Sequence, residues 1–187
     1  MGSNAAPFYV PKTVSLIGIM GSGKSTIGVR LAKKLALKFF DSDQQVENAA
    51  GGYTVAEIYE RWGEEVFDSS QVSVIERLLK TEPPHILSTG EGAFIKPESR
   101  QILQNGTITV WLKTDLNLIV DRVRRKMRPQ IQEEENLEEA LGKLIAERSP
   151  LYETADICVE CNDACYQDAV DRVFQAIKDY LYPSQRG

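Results

Sequence analysis

Residues 18 to 25 read "GIMGSGKS", eight positions that satisfy the spacing G-x-x-x-x-G-K-[ST]. That spacing carries meaning only between a strand and a helix, and both are predicted here. Ahead of it, "TVSLIGIM" is a β-branched apolar run ending in a glycine-rich turn; behind it, "STIGVRLAKKLAL" has apolar residues at helical spacing. A strand, loop and helix of this kind predict an α/β chain with a phosphate site at the carboxyl end of a strand. Gly18, Gly21 and Gly23 allow successive backbone N–H groups to converge on phosphate oxygens, and the helix N-terminus adds its dipole. Lys24 offers a positive charge to β- and γ-phosphates, and the Ser25 hydroxyl suits Mg²⁺. Ser22 and Thr26 complete the expected nucleotide-binding run Gly21, Ser22, Gly23, Lys24, Ser25, Thr26.

Downstream, strand and helix patterns alternate. "KFFDSD" is a short strand ending in acids. "TVAEIYERWG" carries a capping-box pair, Thr54 and Glu57, with Gly63 as a stop, and "SSQVSVIERLLK" continues helical. "HILSTGEG" is a third strand running into glycines, and "ESRQILQN", "TITVWLKT" and "DLNLIVDRVRRK" repeat the rhythm. Asn136 and Glu139 mark another helix start, "DICVEC" is a fifth strand, and "ACYQDAVDRVFQAIKDYLY" closes the chain as an amphipathic helix. The pattern predicts a parallel sheet covered on both faces. The polar stretch "RPQIQEEENLEE" is long enough to be a flap.

Composition narrows the function. At 187 residues, 42% hydrophobic and 26% charged, one globular domain is expected. No run of about 18 apolar residues and no basic-then-apolar leader occurs, so a cytoplasmic protein without membrane partners is expected. Residues 1–10 are expected to be a tag or disordered, with the folded domain over 11–183. A net charge of −5 argues against nucleic acid as a partner, despite the basic run "RVRRKMR". Cys158 and Cys161 have C-x-x-C spacing, but no second pair completes a zinc site, and Cys158 sits in an apolar run as a small hydrophobe. A switch GTPase is disfavoured because N-K-x-D and D-x-x-G are not where they belong. A motor ATPase is disfavoured because "HILSTGEG" ends in glycines instead of an acid. Small size with an arginine-bearing flap favours a small-molecule kinase.

From the phosphate loop onward the chain resembles the shikimate kinase family over about residues 12–160, on "GIMGSGKST", "FFDSD", "TVAEIYERWGEEVF", "LSTGEGAF", "RP" at the flap and "ERSPLYETAD". The resemblance implies a P-loop kinase fold of nucleoside-monophosphate-kinase type: a five-stranded parallel sheet flanked by helices, with acceptor-binding helices over about 44–80 and a mobile lid over about 126–137. It implies ATP and Mg²⁺ as cofactors, phosphorylation of the 3-hydroxyl of shikimate, and a small-molecule acceptor as the partner of a monomer. By the same resemblance Asp41 joins Ser25 near the metal. Asp43 holds the acceptor hydroxyls and takes its proton, while Arg128 neutralises the transferring phosphate. Arg122 or Arg124 stacks on adenine, Gly90 and Gly92 line the acceptor site, and Arg148 pairs with its carboxylate. A carboxylate at position 43 suits the chemistry, since an acceptor must be held in line and lose a proton.

Three positions depart from the family pattern. Asp68 stands where the family has an arginine, Glu91 interrupts a three-glycine strand end, and "RPQI" replaces "RPLL". Two of these add negative charge where an anionic acceptor and the γ-phosphate are expected. Three readings therefore stay open: a shikimate kinase, a kinase for a neutral or amino-bearing cyclic polyol, and a catalytically impaired nucleotide-binding relative.

Overall fold

The computed structural model describes residues 8–127, 137–162 and 165–183. Its apolar runs become five strands, β1 (Thr13–Ile17), β2 (Phe39–Asp41), β3 (Ile86–Ser88), β4 (Thr107–Lys113) and β5 (Ile157–Glu160). They form one sheet in the order β2-β3-β1-β4-β5, every neighbouring pair parallel. Eight helices lie among the described residues: α1 (Lys24–Leu35), α2 (Ser42–Ala49), α3 (Val55–Trp62), α4 (Glu64–Thr81), α5 (Pro97–Gly106), α6 (Leu116–Met127), α7 (Leu137–Tyr152) and α8 (Tyr166–Leu181). The expected five-stranded α/β architecture is therefore present. Among the described residues no helix is long and apolar enough to cross a membrane.

Alternation along the strands builds a core on each face. Val14, Leu16, Ile108, Val110 and Leu112 meet Ile27 and Leu31 of α1 and Val173 and Ile177 of α8. Ile17, Leu87 and Trp111 face the other way, onto Ile75 and Leu78 of α4 and Leu103 of α5. Polar residues buried in the sheet find partners: Ser15 Oγ lies 2.7 Å from Thr107 Oγ1, and Thr109 Oγ1 donates at 2.7 Å to Oδ2 of Asp156, the exposed residue ahead of β5. Phe8 packs edge-on against Phe174 and Val10 is buried, so the packed chain reaches back past residue 11.

Three local expectations meet particular outcomes. The capping box at Thr54 and Glu57 is formed in both directions, and Gly63, at φ 84°, ends α3 and opens α4 directly. Helix α7 runs from Leu137 through Pro150 to Tyr152; its expected start at Asn136, and residues 128–136 of the lid expected over about 126–137, fall outside the described residues. Cys158, expected inside the core, is exposed, and Cys161 is the buried one. The reason is that β5 is an edge strand with only Ile157 and Val159 turned inward, so alternation sends Cys158 and Glu160 outward.

The order of the strands decides where a ligand fits. From β1 the chain crosses to β2 and returns through β3 on one side, then passes to β4 on the other. The crevice at the carboxyl end of β1 is therefore the switch point of the sheet, and residues 18–25 occupy it.

Candidate active site

The loop after β1 is shaped by its glycines. Gly23 caps α1 at φ 94°, where a side chain is strained, and a Cβ there would come within 2.9 Å of the Tyr166 ring. Lys24 Nζ donates to the carbonyls of Gly18 (2.7 Å) and Ile19 (3.0 Å), which holds the ammonium across the loop. Ser22 is buried beneath it.

The end of β2 brings two carboxylates to this loop. Asp41 caps α2, its Oδ1 accepting from the Asp43 backbone N–H at 3.1 Å, while its Oδ2 accepts from Ser25 Oγ at 2.7 Å. Asp43, two residues further, accepts from Gln71 Nε2 of α4 at 3.1 Å. Burial pushes the Asp43 carboxyl up to about 6, and the nearby Asp41 charge adds to the rise while Lys24 and Gln71 oppose it. The single histidine, His85, lies ahead of β3 at the opposite end of the sheet, buried and held low by desolvation. The group poised near neutrality at this site is thus a carboxylate.

The end of β3 closes the acceptor side. Gly90 N–H donates to Ser42 Oγ at 2.8 Å, and a Cβ at Gly90 would collide with Asp43 Oδ1 and Gln71 Nε2. Glu91 turns its carboxylate onto the Arg148 guanidinium, which α7 supplies. Asp68 Oδ2 is paired with Lys96 Nζ at 2.7 Å, and the same ammonium reaches Glu64 Oε1 at 2.7 Å. The charge at Asp68 is therefore shared with a lysine that sequence reasoning did not single out.

On the nucleotide side, Arg122 Nη1 donates to the carbonyls of Gly21 (3.2 Å) and Ser22 (3.4 Å), and its guanidinium lies 4.6 Å from the centre of the Tyr166 ring. Of the two arginines considered for adenine, Arg122 faces the loop and Arg124 is exposed.

These parts line one cavity of about 720 Å³, which brings together Gly21, Gly23, Lys24, Ser25, Thr26, Asp41, Asp43 and Arg122. Ser88, Thr89, Arg125 and Tyr166 also line it and were not anticipated as site residues; Glu91, marked in the sequence as an added negative charge near the acceptor and the γ-phosphate, lines it too. Ser88 and Thr89 had a signal, since they end a parallel strand. Tyr166 and Arg125 had none in the local pattern. Gly90, Gly92 and Arg148 are not among its lining residues, and Arg148 is linked to the cavity through its pair with Glu91. Arg128 lies outside the described residues.

The architecture and the motifs have close counterparts. The family model for shikimate kinase matches residues 20–178. A shikimate kinase from Caulobacter vibrioides is 41% identical over 168 residues, covering 89% of this chain and 82% of that protein. One from Paramagnetospirillum magneticum is 40% identical, covering 92% and 87%. Among solved structures, the shikimate kinase from Acinetobacter baumannii in complex with shikimate aligns with a TM-score of 0.80 at 34% identity, covering 94% of this chain and 96% of that one. The enzyme from Aquifex aeolicus aligns at 0.75 with 26% identity, covering 90% and 98%. A match of this extent, with the phosphate loop and both β2 acids in place, means that the chain belongs to the shikimate kinase family.

Proposed function

We propose that the chain transfers the γ-phosphoryl group of ATP to the 3-hydroxyl of shikimate. The observation that carries this reading is the convergence of Lys24, Ser25, Asp41 and Asp43 on one cavity in a chain of this family. The backbone N–H groups of the loop and the α1 N-terminus receive the phosphates, and Lys24 swings from its own loop carbonyls to the β- and γ-oxygens. Ser25 Oγ and the Asp41 carboxylate are hard oxygen donors 2.7 Å apart on the cavity wall, a fit for Mg²⁺. When bound there, Mg²⁺ offsets charge on the β- and γ-phosphates.

Asp43 accepts the proton of the 3-hydroxyl, whose oxygen bonds to the γ-phosphorus in line as the bond to the bridging oxygen breaks and ADP leaves. A carboxylate shifted towards neutrality suits a base that takes and returns a proton near pH 7. Arg148 receives the acceptor carboxylate, Arg122 with Tyr166 borders the nucleotide, and Arg128 neutralises the transferring group. The reading takes the enzyme as a cytoplasmic monomer with one kinase domain over about residues 11–183 and a lid over about 126–137.

One observation favours a second acceptor class, an uncharged or amino-bearing cyclic polyol: Arg148 and Lys96 each face a carboxylate of the chain itself. A coupled ADP-release assay across shikimate and such polyols decides between them, with turnover of shikimate expected. Asp43→Asn should lower kcat by about a hundredfold or more while Mg·ATP affinity, read by calorimetry, stays within about twofold. Equal losses in both would contradict the placement of Asp43, and turnover confined to the polyols would overturn the shikimate assignment.

A further inference from the structure

We infer that Glu91 is a tethered rival of the acceptor's carboxylate, occupying the Arg148 guanidinium and setting how tightly a carboxylate-bearing acceptor is held. The inference rests on the acceptor reading above. Among the described residues, Glu91 is the acid lining the cavity whose carboxylate pairs with Arg148, and the two side chains are 22% and 24% exposed. A pair this far out of water is screened much less than a surface pair, and a guanidinium left alone there would be costly. The chain thus supplies, from within, the same functional group that the acceptor would bring.

The backbone around Glu91 is held while its side chain is the adjustable part. Gly90 N–H is fixed to Ser42 Oγ at 2.8 Å, the Glu91 carbonyl accepts from Tyr152 Oη at 3.4 Å, and Ala93 N–H closes onto the Gly90 carbonyl at 3.1 Å. Tyr152 is itself locked, 2% exposed and stacked on Phe94. Arg148 lies on the same α7 face one turn before Tyr152, so the guanidinium and the Glu91 backbone share one support. An incoming carboxylate must therefore displace the Glu91 side chain by rotation, with no movement of the loop, and then sits beside a like charge. Both effects weaken carboxylate acceptors and leave uncharged ones untouched. The consequence is a relaxed preference for the acceptor's charge at fixed phosphoryl chemistry.

The test compares the full chain with Glu91→Gln, which keeps size and hydrogen bonding but removes the charge, and with Glu91→Gly as a second form that removes the side chain. Each is assayed with shikimate and with its methyl ester at saturating Mg·ATP. We expect the KM for shikimate to fall about tenfold in both variants, with kcat and the KM for ATP unchanged and no gain for the ester. An unmoved KM for shikimate, or an equal gain for the ester, overturns the role of Glu91 while the shikimate reading stands. Absence of shikimate turnover in all three forms, with no heat of shikimate binding, overturns the acceptor reading and this inference with it.

Discussion

Asp43 is held between opposite demands. Its burial and the neighbouring Asp41 favour the protonated form, Lys24 and Gln71 favour the charged one, and the balance leaves the carboxyl at about 6 against an ordinary 3.8. A carboxyl whose value is raised by folding contributes stability that is full below pH 3.8 and is lost as pH rises through about 6. At neutral pH the charge is therefore a burden on the fold. Asp43→Asn keeps an oxygen for Gln71 and removes that burden. In metal-free buffer at pH 7.5 it should stabilise the protein by on the order of 3 kcal/mol in urea unfolding. The gain should vanish by pH 4, and a gain that is independent of pH would mean that Asp43 is not the group strained by the site. The residue proposed to do the chemistry is thus one that destabilises the protein in which it sits.

At the scale of elements, α4 organises the acceptor side through one face. Asp68 and Gln71 are three residues apart and so share a face of the helix, which explains why the residue that steadies Asp43 and the residue that departs from the family pattern belong to one surface. Lys96, at the N-cap of α5, ties that surface down by pairing with both Asp68 and Glu64. Two carboxylates beside the Lys96 ammonium raise its value further above its ordinary range, so it stays charged at any working pH. Lys96→Ala should leave two acids without their cation and raise the KM for shikimate about threefold at low salt, and Asp68→Arg should lower it by a similar factor. Both effects should shrink at about 0.5 M salt, where exposed charges are screened. A KM indifferent to both substitutions at low salt would place this ion-pair group outside the reach of the acceptor.

Across the whole molecule, the nucleotide side depends on a helix from the far end of the chain. Tyr166 begins α8, packs its ring against Gly23 and lies under the Arg122 guanidinium at 4.6 Å. The rest of α8 is anchored on the sheet through Val170, Val173 and Ile177. The core that buries α8 therefore also sets the wall of the phosphate loop. Tyr166→Ala removes a cation–π contact of about 0.5–1 kcal/mol and the support behind Gly23, so the KM for ATP should rise a few-fold with acceptor KM unchanged. Steady-state kinetics with both substrates checks this, and an effect on the acceptor alone would separate Tyr166 from the nucleotide wall.

The sequence by itself determined the elements and the phosphate site, because both are written in neighbouring residues. An apolar run into "GIMGSGKS" dictates strand, loop and helix, Thr54 with Glu57 dictates a helix start, and "FFDSD" puts two acids at the end of a strand. Tertiary structure alone decided the electrostatics of the acceptor side. Arg148 meets Glu91 across 57 residues, and Asp68 meets a lysine from the next helix. From the sequence Asp68 and Glu91 were two added negative charges, whereas in the fold each is matched to a cation that helix packing delivers. Periodicity reports which face of an element is buried, but it does not report which two faces will meet. The difference matters here because Coulomb interactions fall off with distance in space and not along the chain, so the charge an acceptor feels exists only once the helices have docked.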